Sequence, residues 1–99
     1  MTEQLTHAHF RPHLEKVFRV RDGRHQLKLA DLQTFSLTEA QRAVVPREPF
    51  NLIFHGPSGD VLREGLYVLE ADGGAAFELY VMPIQTHVRD RQDYQAVFN

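Results

Sequence analysis

The chain contains no cysteine and no tryptophan among its 99 residues. Without cysteine it has neither disulfide bonds nor thiolate zinc ligands, so its stability must come from packing. No apolar run approaches the roughly 20 residues needed to span a bilayer. Residues 1–7 also lack the basic start and apolar stretch of a secretory signal. These absences predict a protein that does not associate with membranes, and we expect it in the cytoplasm.

The composition is typical of a folded globular domain, with 42% hydrophobic and 24% charged residues. A chain of this length fits a single domain over residues 1–99, which buries about 60–65% of the surface of its unfolded chain. Six basic and three acidic residues precede Leu29, and five basic and ten acidic residues follow Lys28. Nucleic-acid-binding domains have a much stronger basic bias, so we do not expect nucleic-acid binding.

Alternating apolar and polar residues predict a mainly β fold. The predicted strands are Lys16–Arg21, Gln26–Ala30, Phe50–His55, Leu66–Glu70, Ala76–Pro83 and Tyr94–Asn99. Asp22-Gly23 predicts a tight hairpin between the first two, because glycine accepts a positive φ, and Gly73-Gly74 predicts another turn. About six strands favour a small barrel-like or two-layer antiparallel sheet, and the pattern leaves these two arrangements open.

A short helical segment is predicted at residues 6–14. Thr6 is a suitable N-cap, and Phe10 and Leu14 lie four residues apart, on the side that would face a core. Pro12 limits the segment to one or two turns, because proline fits only the first turn of a helix. We therefore expect this segment to cover one end of the β domain.

The β domain is predicted over residues 15–99, with an irregular loop at 31–49. Within that loop, Thr38–Gln41 has the form of a capping box and predicts one helical turn that ends before Pro46. The final apolar strand is expected to pair inside the sheet, because an unpaired apolar edge invites aggregation. The predicted core consists of Phe18, Leu27, Leu29, Phe50, Leu52, Phe54, Leu69, Phe77, Leu79, Val81 and Phe98.

The sequence shows no catalytic or cofactor-binding motif. The loop Gly56–Asp60 follows a strand but lacks the lysine of a phosphate-binding loop, and Ser58 lacks the setting of a hydrolase nucleophile. His9 and His13, with His7 beside them, are weak metal candidates, because residues four apart share a helix face but no further ligand is evident. We therefore predict no catalytic residue, no cofactor and no established metal site.

Tyrosine and arginine form the most plausible interaction set. Tyr67, Tyr80 and Tyr94 occupy predicted strands, and Arg89 and Arg91 lie nearby in the sequence. These residue types anchor protein interfaces because they combine large contact area with a polar tip. The alternative is that the tyrosines cover a thin core while their hydroxyls reach water.

Several segments together resemble a family of small bacterial single-domain proteins of unknown function. They are Phe10–Leu14, Val17–Val20, Arg47–Pro57, Gly65–Glu70, Phe77–Ile84 and Tyr94–Asn99. Proteins of this kind are sometimes encoded near phage-tail-like or tail-collar proteins, so the resemblance implies an assembly role. It implies no catalytic residues.

Two functional hypotheses follow. The first is a non-enzymatic protein-interaction or assembly module, with a protein partner or self-association. The second is a small-ligand-binding or hydrolytic protein whose pocket is ringed by His55, Tyr67 and Tyr80. The absence of site chemistry favours the first.

Overall fold

The computed structural model describes residues 5–35, 37–44 and 48–98. Its elements are α1 (His7–Phe10), a 3₁₀ turn (Arg11–His13), β1 (Val17–Val20), β2 (Gln26–Thr34), α2 (Glu39–Val44), β3 (Phe50–Pro57), β4 (Gly65–Ala71), β5 (Ala76–Ile84) and β6 (Arg91–Phe98). The strands form a closed antiparallel barrel in the order β1-β2-β3-β6-β5-β4. This confirms the prediction of a mainly β fold with a short N-terminal helix. Of the two arrangements that the sequence left open, the structure has the barrel and not the two-layer sheet. Within the described ranges, no helix is long and apolar enough to cross a membrane.

Two turns connect neighbouring strands at places where glycine follows a polar residue or another glycine in the sequence. The hairpin between β1 and β2 is confirmed, but the positive φ of 62° lies at Asp22 and not at Gly23. Aspartate tolerates this region because its short side chain bonds locally. Between β4 and β5, Gly73 and Gly74 have φ of 94° and 97°, as a turn built on two glycines requires.

The prediction of an irregular loop at 31–49 is wrong for residues 31–34, which belong to β2. β2 continues to Thr34 and pairs with β3, but its register shifts between Leu29 and Asp31. Such a bulge adds one residue and interrupts the period of two, so the sequence pattern falsely suggested that the strand ends at Ala30.

The predicted capping box is confirmed at the start of α2. Thr38 N–H donates to Gln41 Oε1 at 2.9 Å, and Gln41 N–H donates to Thr38 Oγ1 at 3.2 Å. These reciprocal bonds satisfy two of the backbone donors that a helix start leaves free. The predicted stop at Pro46 and the predicted strand end at Asn99 lie outside the described residues.

The interior of the barrel is filled by apolar side chains. Nine of the eleven predicted core residues are buried, whereas Phe77 and Phe98 are partly buried against that core. Among the described residues, six more are buried, namely Phe10, Val20, Leu62, Ala71, Tyr94 and Ala96. The alternation of the strands thus predicted most of the inward face correctly.

Phe10 fills one end of the barrel. Its ring is fully buried, with its centroid 4.6 Å from that of Phe77, 5.6 Å from Phe98 and 5.9 Å from Phe50. Tilted aromatic contacts at these separations are favourable beyond the area they bury. The α-helix ends at Phe10, within the predicted limit of one or two turns, and Pro12 lies in the first positions of the 3₁₀ turn that follows.

At the opposite end, the backbone of β3 passes very close to core side chains. A Cβ atom on Gly56 would lie 2.9 Å from Leu27 Cδ2 and 3.1 Å from Tyr94 Cε1, and both of those side chains are fully buried. Only glycine fits this position without moving packed atoms.

Leu79→Ala should lower the free energy of unfolding by about 2–5 kcal/mol, because it empties a buried leucine site. Urea denaturation measures this change. Leu66→Ala, on the paired strand but 61% exposed, is the matched control and should change stability by less than about 0.5 kcal/mol. Equal losses in the two variants would contradict the inward assignment of Leu79.

Candidate functional site

The outer face of β1 and β2 is charged, and its cationic side chains form ion pairs with carboxylates of neighbouring segments. Its ion pairs, with those of the adjoining turn, are Arg19–Asp72, Arg21–Glu70, Arg24–Asp60 and Lys28–Glu15. In the best-aligned pair, the Arg24 guanidinium donates two hydrogen bonds to the Asp60 carboxylate, at 2.9 and 2.7 Å. Because these cations have carboxylate partners, the face offers little free positive charge to a phosphate backbone.

Several outward positions of β4, β5 and β6 carry apolar side chains. Leu66 on β4 lies directly opposite Tyr80 on β5, and the two side chains are 61% and 48% exposed. Val97 on β6 is 44% exposed. Met82 on β5 is half-buried and pairs with Gln95 on β6. We refer to Leu66, Tyr80, Met82 and Val97 as the Tyr80 face. Outward positions of a sheet that meets only water are usually polar, so this face is a candidate contact surface.

Carboxylates border the Tyr80 face. The Tyr80 hydroxyl donates a short hydrogen bond to Glu64, which raises the pKa of Tyr80 above its ordinary value. Glu78 lies on the same strand two residues away and is exposed. The outward positions of β4 and β5 carry no lysine or arginine. The border of the face is therefore negatively charged.

The predicted interaction set is only partly assembled. Tyr80 lies on the outer surface, whereas Tyr67 pairs with the inward residue Leu79 and donates its hydroxyl to the Arg63 carbonyl at 2.7 Å. The prediction that Tyr94 contacts a partner is wrong, because its side chain is fully buried in the barrel. Its alternation with Ala96 and Phe98 already indicated an inward position.

The two predicted arginines serve different roles. Arg91 donates two hydrogen bonds to Asp93, at 2.7 and 3.1 Å, so its charge is already neutralised locally. Arg89 is exposed in the connection between β5 and β6. Neither lies at an outward position of β4 or β5, where the apolar residues cluster.

The predicted metal candidates have other partners. His9 Nδ1 accepts a hydrogen bond from Thr6 N–H at 2.9 Å, while the His13 ring packs edge-on against Phe18 and Phe77. The α-helix ends before His13, so the two rings do not share a regular helix face. In the part of the chain that the structure describes, no group of three potential ligands is close enough to hold a metal.

The predicted pocket of His55, Tyr67 and Tyr80 does not form. His55 lies on β3, which is separated from β5 by β6 and is not adjacent to β4. Its Nε2 lies 3.8 Å from Asp93 Oδ1. An open cleft of about 290 Å³ lies elsewhere, lined by Pro12, His13, Lys16, Ala71 and Asp72.

Leu66 and Val97 were not singled out from the sequence. Leu66 belongs to the continuous apolar run Leu66–Leu69, in which neither parity is distinguished by a polar residue. The partner strand shows which way Leu66 points. Leu66 pairs with the outward residue Tyr80, whereas Tyr67 pairs with the inward residue Leu79. Combining the two strands in register would have identified Leu66, but that register is a tertiary property.

A family model described as a domain of unknown function (DUF6916) matches residues 5–98. This range contains most of the segments that carry the resemblance found in the sequence. The description names no activity, ligand or assembly. No curated protein and no solved structure matches the chain.

Tyr94→Phe should lower the free energy of unfolding by about 1–3 kcal/mol, because it leaves a buried donor without its partner. The Tyr94 hydroxyl accepts the Leu62 N–H at 2.8 Å. Thermal and urea unfolding measure the loss. Tyr67→Phe is the control, since its hydroxyl bond is exposed, and an equal loss there would contradict the role of burial.

Arg24→Gln should raise the pKa of Asp60. The hydrogen bonds from Arg24 hold that pKa below its ordinary value. The pair therefore stabilises the fold above the ordinary carboxyl pKa of about 4, and the contribution is lost as pH falls through the lowered value. A carboxyl-carbon NMR titration measures the shift. Arg19→Gln should leave Asp60 unchanged, and an unchanged Asp60 in Arg24→Gln would refute this assignment.

Proposed function

The chain belongs to the DUF6916 family of domains of unknown function, and we propose that it is a non-enzymatic protein-interaction module that binds its partner through the Tyr80 face. The supporting observation is the cluster of exposed apolar side chains on three adjacent strands. Leu66, Tyr80 and Val97 are between 44% and 61% exposed. Single exposed apolar residues are common, but a contiguous group indicates a contact surface.

The chemistry of the remaining surface supports binding over catalysis. A catalytic site requires a nucleophile or acid–base pair that converges with polar groups in a pocket. Among the described residues, His55 Nε2 lies 3.8 Å from Asp93 Oδ1, and this histidine–carboxylate contact has no serine hydroxyl in hydrogen-bond contact with it. Small β barrels host many unrelated functions, so the fold by itself supports no particular activity.

The aromatic content of the Tyr80 face suits an interface. Tyrosine contributes a large rigid contact area with few rotatable bonds, and its hydroxyl adds a polar contact at the border. The bond from Tyr80 to Glu64 restrains the ring before a partner arrives, which reduces the entropy lost on binding. A phage-tail-like assembly is one setting for such a module, and this setting remains a prediction from the resemblance.

The double variant Leu66→Ser and Val97→Thr should abolish partner binding without unfolding the barrel. Each exposed hot-spot residue typically contributes about 1–2 kcal/mol or more, so retention should fall at least about tenfold. The measurement is a pull-down with purified bait, in which the retained protein is identified and its affinity is then measured by calorimetry.

Val17→Thr is the matched control, because Val17 is 45% exposed but lies on β1. The proposal requires a protein that wild type and Val17→Thr retain and the double variant loses. Equal retention by all three proteins would contradict it, as would the loss of binding in Val17→Thr alone.

A further inference from the structure

The open cleft of about 290 Å³ lies where the 3₁₀ turn approaches the end of β4. Pro12, His13 and Lys16 line it from one side, and Ala71 and Asp72 line it from the other. Liquid water occupies about 30 Å³ per molecule, so the cleft has room for a compound of roughly ten non-hydrogen atoms. This volume is close to the lower limit of small-molecule sites, about 300 Å³. The cleft therefore has the size of a site for a small organic molecule.

A β-turn holds His13 and Lys16 close together. Lys16 N–H donates to the His13 carbonyl at 3.0 Å, which closes the turn. Leu14 has φ and ψ of -57° and 136°, and Glu15 has φ of 69°, as in a type II turn. The Glu15 carboxylate forms an ion pair with Lys28 on β2 at 2.9 Å, which holds the turn against the sheet. The first and last residues of this turn therefore contribute neighbouring side chains to one wall of the cleft.

The His13 ring is restrained by aromatic packing. Its centroid lies 5.5 Å from that of Phe18 and 5.7 Å from that of Phe77, and both contacts are edge-on. Among the described residues, no side chain or backbone group forms a hydrogen bond with a ring nitrogen of His13. Because imidazole has an N–H donor in its neutral and its protonated form, this ring can donate to an oxyanion in either state.

The charges around the cleft favour an anion. Lys16 is exposed and forms no ion pair with any residue that the structure describes, although Asp72 lines the same cleft. The Asp72 carboxylate instead accepts a hydrogen bond from Arg19 at 3.0 Å. Lys16 and Arg19 thus place two positive charges near one negative charge. Because the Lys16 ammonium has no carboxylate partner, the cleft attracts negatively charged ligands.

We infer that this cleft binds a small organic anion. Lys16 and His13 hold its carboxylate or phosphate group, and the ammonium supplies a charge-assisted hydrogen bond, which is stronger than a neutral one. The apolar part of the ligand lies against Pro12 and Ala71. Such a combination of an apolar lining with a few polar groups that fix orientation is typical of small-molecule sites. The inference does not depend on the Tyr80 face.

A competing explanation is that the cleft is only a gap between two turns that water fills. Lys16 would then be an ordinary solvated side chain, as most lysines are. This explanation predicts that anions bind without saturation and without preference for the cleft.

The probes are benzoate and phenyl phosphate, two aromatic anions of about the size of the cleft, titrated into the ¹⁵N-labelled full chain at constant ionic strength. We expect saturable amide shift changes at His13, Lys16, Ala71 and Asp72. Benzamide has the shape of benzoate without its charge and should cause none at the same concentrations. Tighter binding of phenyl phosphate would assign the site to phosphate esters, and tighter binding of benzoate would assign it to carboxylic acids.

Lys16→Gln should weaken binding of the preferred probe about three- to tenfold, between the effects of an exposed charge pair and of a buried charged hydrogen bond. Arg63→Gln is the matched control, because it removes one exposed positive charge before the start of β4 and should leave the affinity unchanged. Asp72→Asn should tighten binding about two- to fivefold, because it removes the negative charge from the cleft.

Shifts that do not saturate, or equal binding of benzamide and benzoate, would overturn the inference in favour of a water-filled gap. Equal weakening by Lys16→Gln and Arg63→Gln would also overturn it, since the effect would then come from net charge alone. Weaker binding by Asp72→Asn would contradict the assignment to an anion.

The proposed function is tested separately. The double variant Leu66→Ser and Val97→Thr changes no residue of the cleft and should bind the probes as the wild type does. If that variant loses its protein partner while no probe binds, the interaction module stands and the anion site fails. If the probes bind while the variant keeps its partner, the anion site stands and the Tyr80 face is not where that partner docks.

Discussion

The packing of Phe10 between the strand ends is the contact on which the rest of the structure depends. A barrel of six short strands has an open end, and in a chain without cysteine a bulky apolar side chain closes it here. Phe10 does so while α1 and the 3₁₀ turn hold it from outside the sheet. The same ring completes an aromatic cluster in which Phe50 and Phe98 stack with centroids 4.4 Å apart.

The outer face of β1 and β2 differs from that of β4, β5 and β6 in the side chains that it exposes. On β1 and β2, cations and carboxylates are matched across neighbouring strands, which keeps that side hydrated and leaves little free charge. On β4 to β6, apolar side chains are exposed and the nearby charge is negative. The net charge of -2 does not reveal this difference between the two faces, because a net charge does not show which residues lie on the same face.

Local patterns in the sequence determined the strands, the capping box at Thr38 and most of the buried face, because alternation and capping depend only on residues close in the chain. They did not determine closure of the barrel or the continuation of β2 past its bulge. They also did not identify Leu66, since its run of apolar neighbours has no internal sign of which side is exposed. Those properties depend on register between strands far apart in sequence, and burial is decided by what packs against a residue from the other side of the fold.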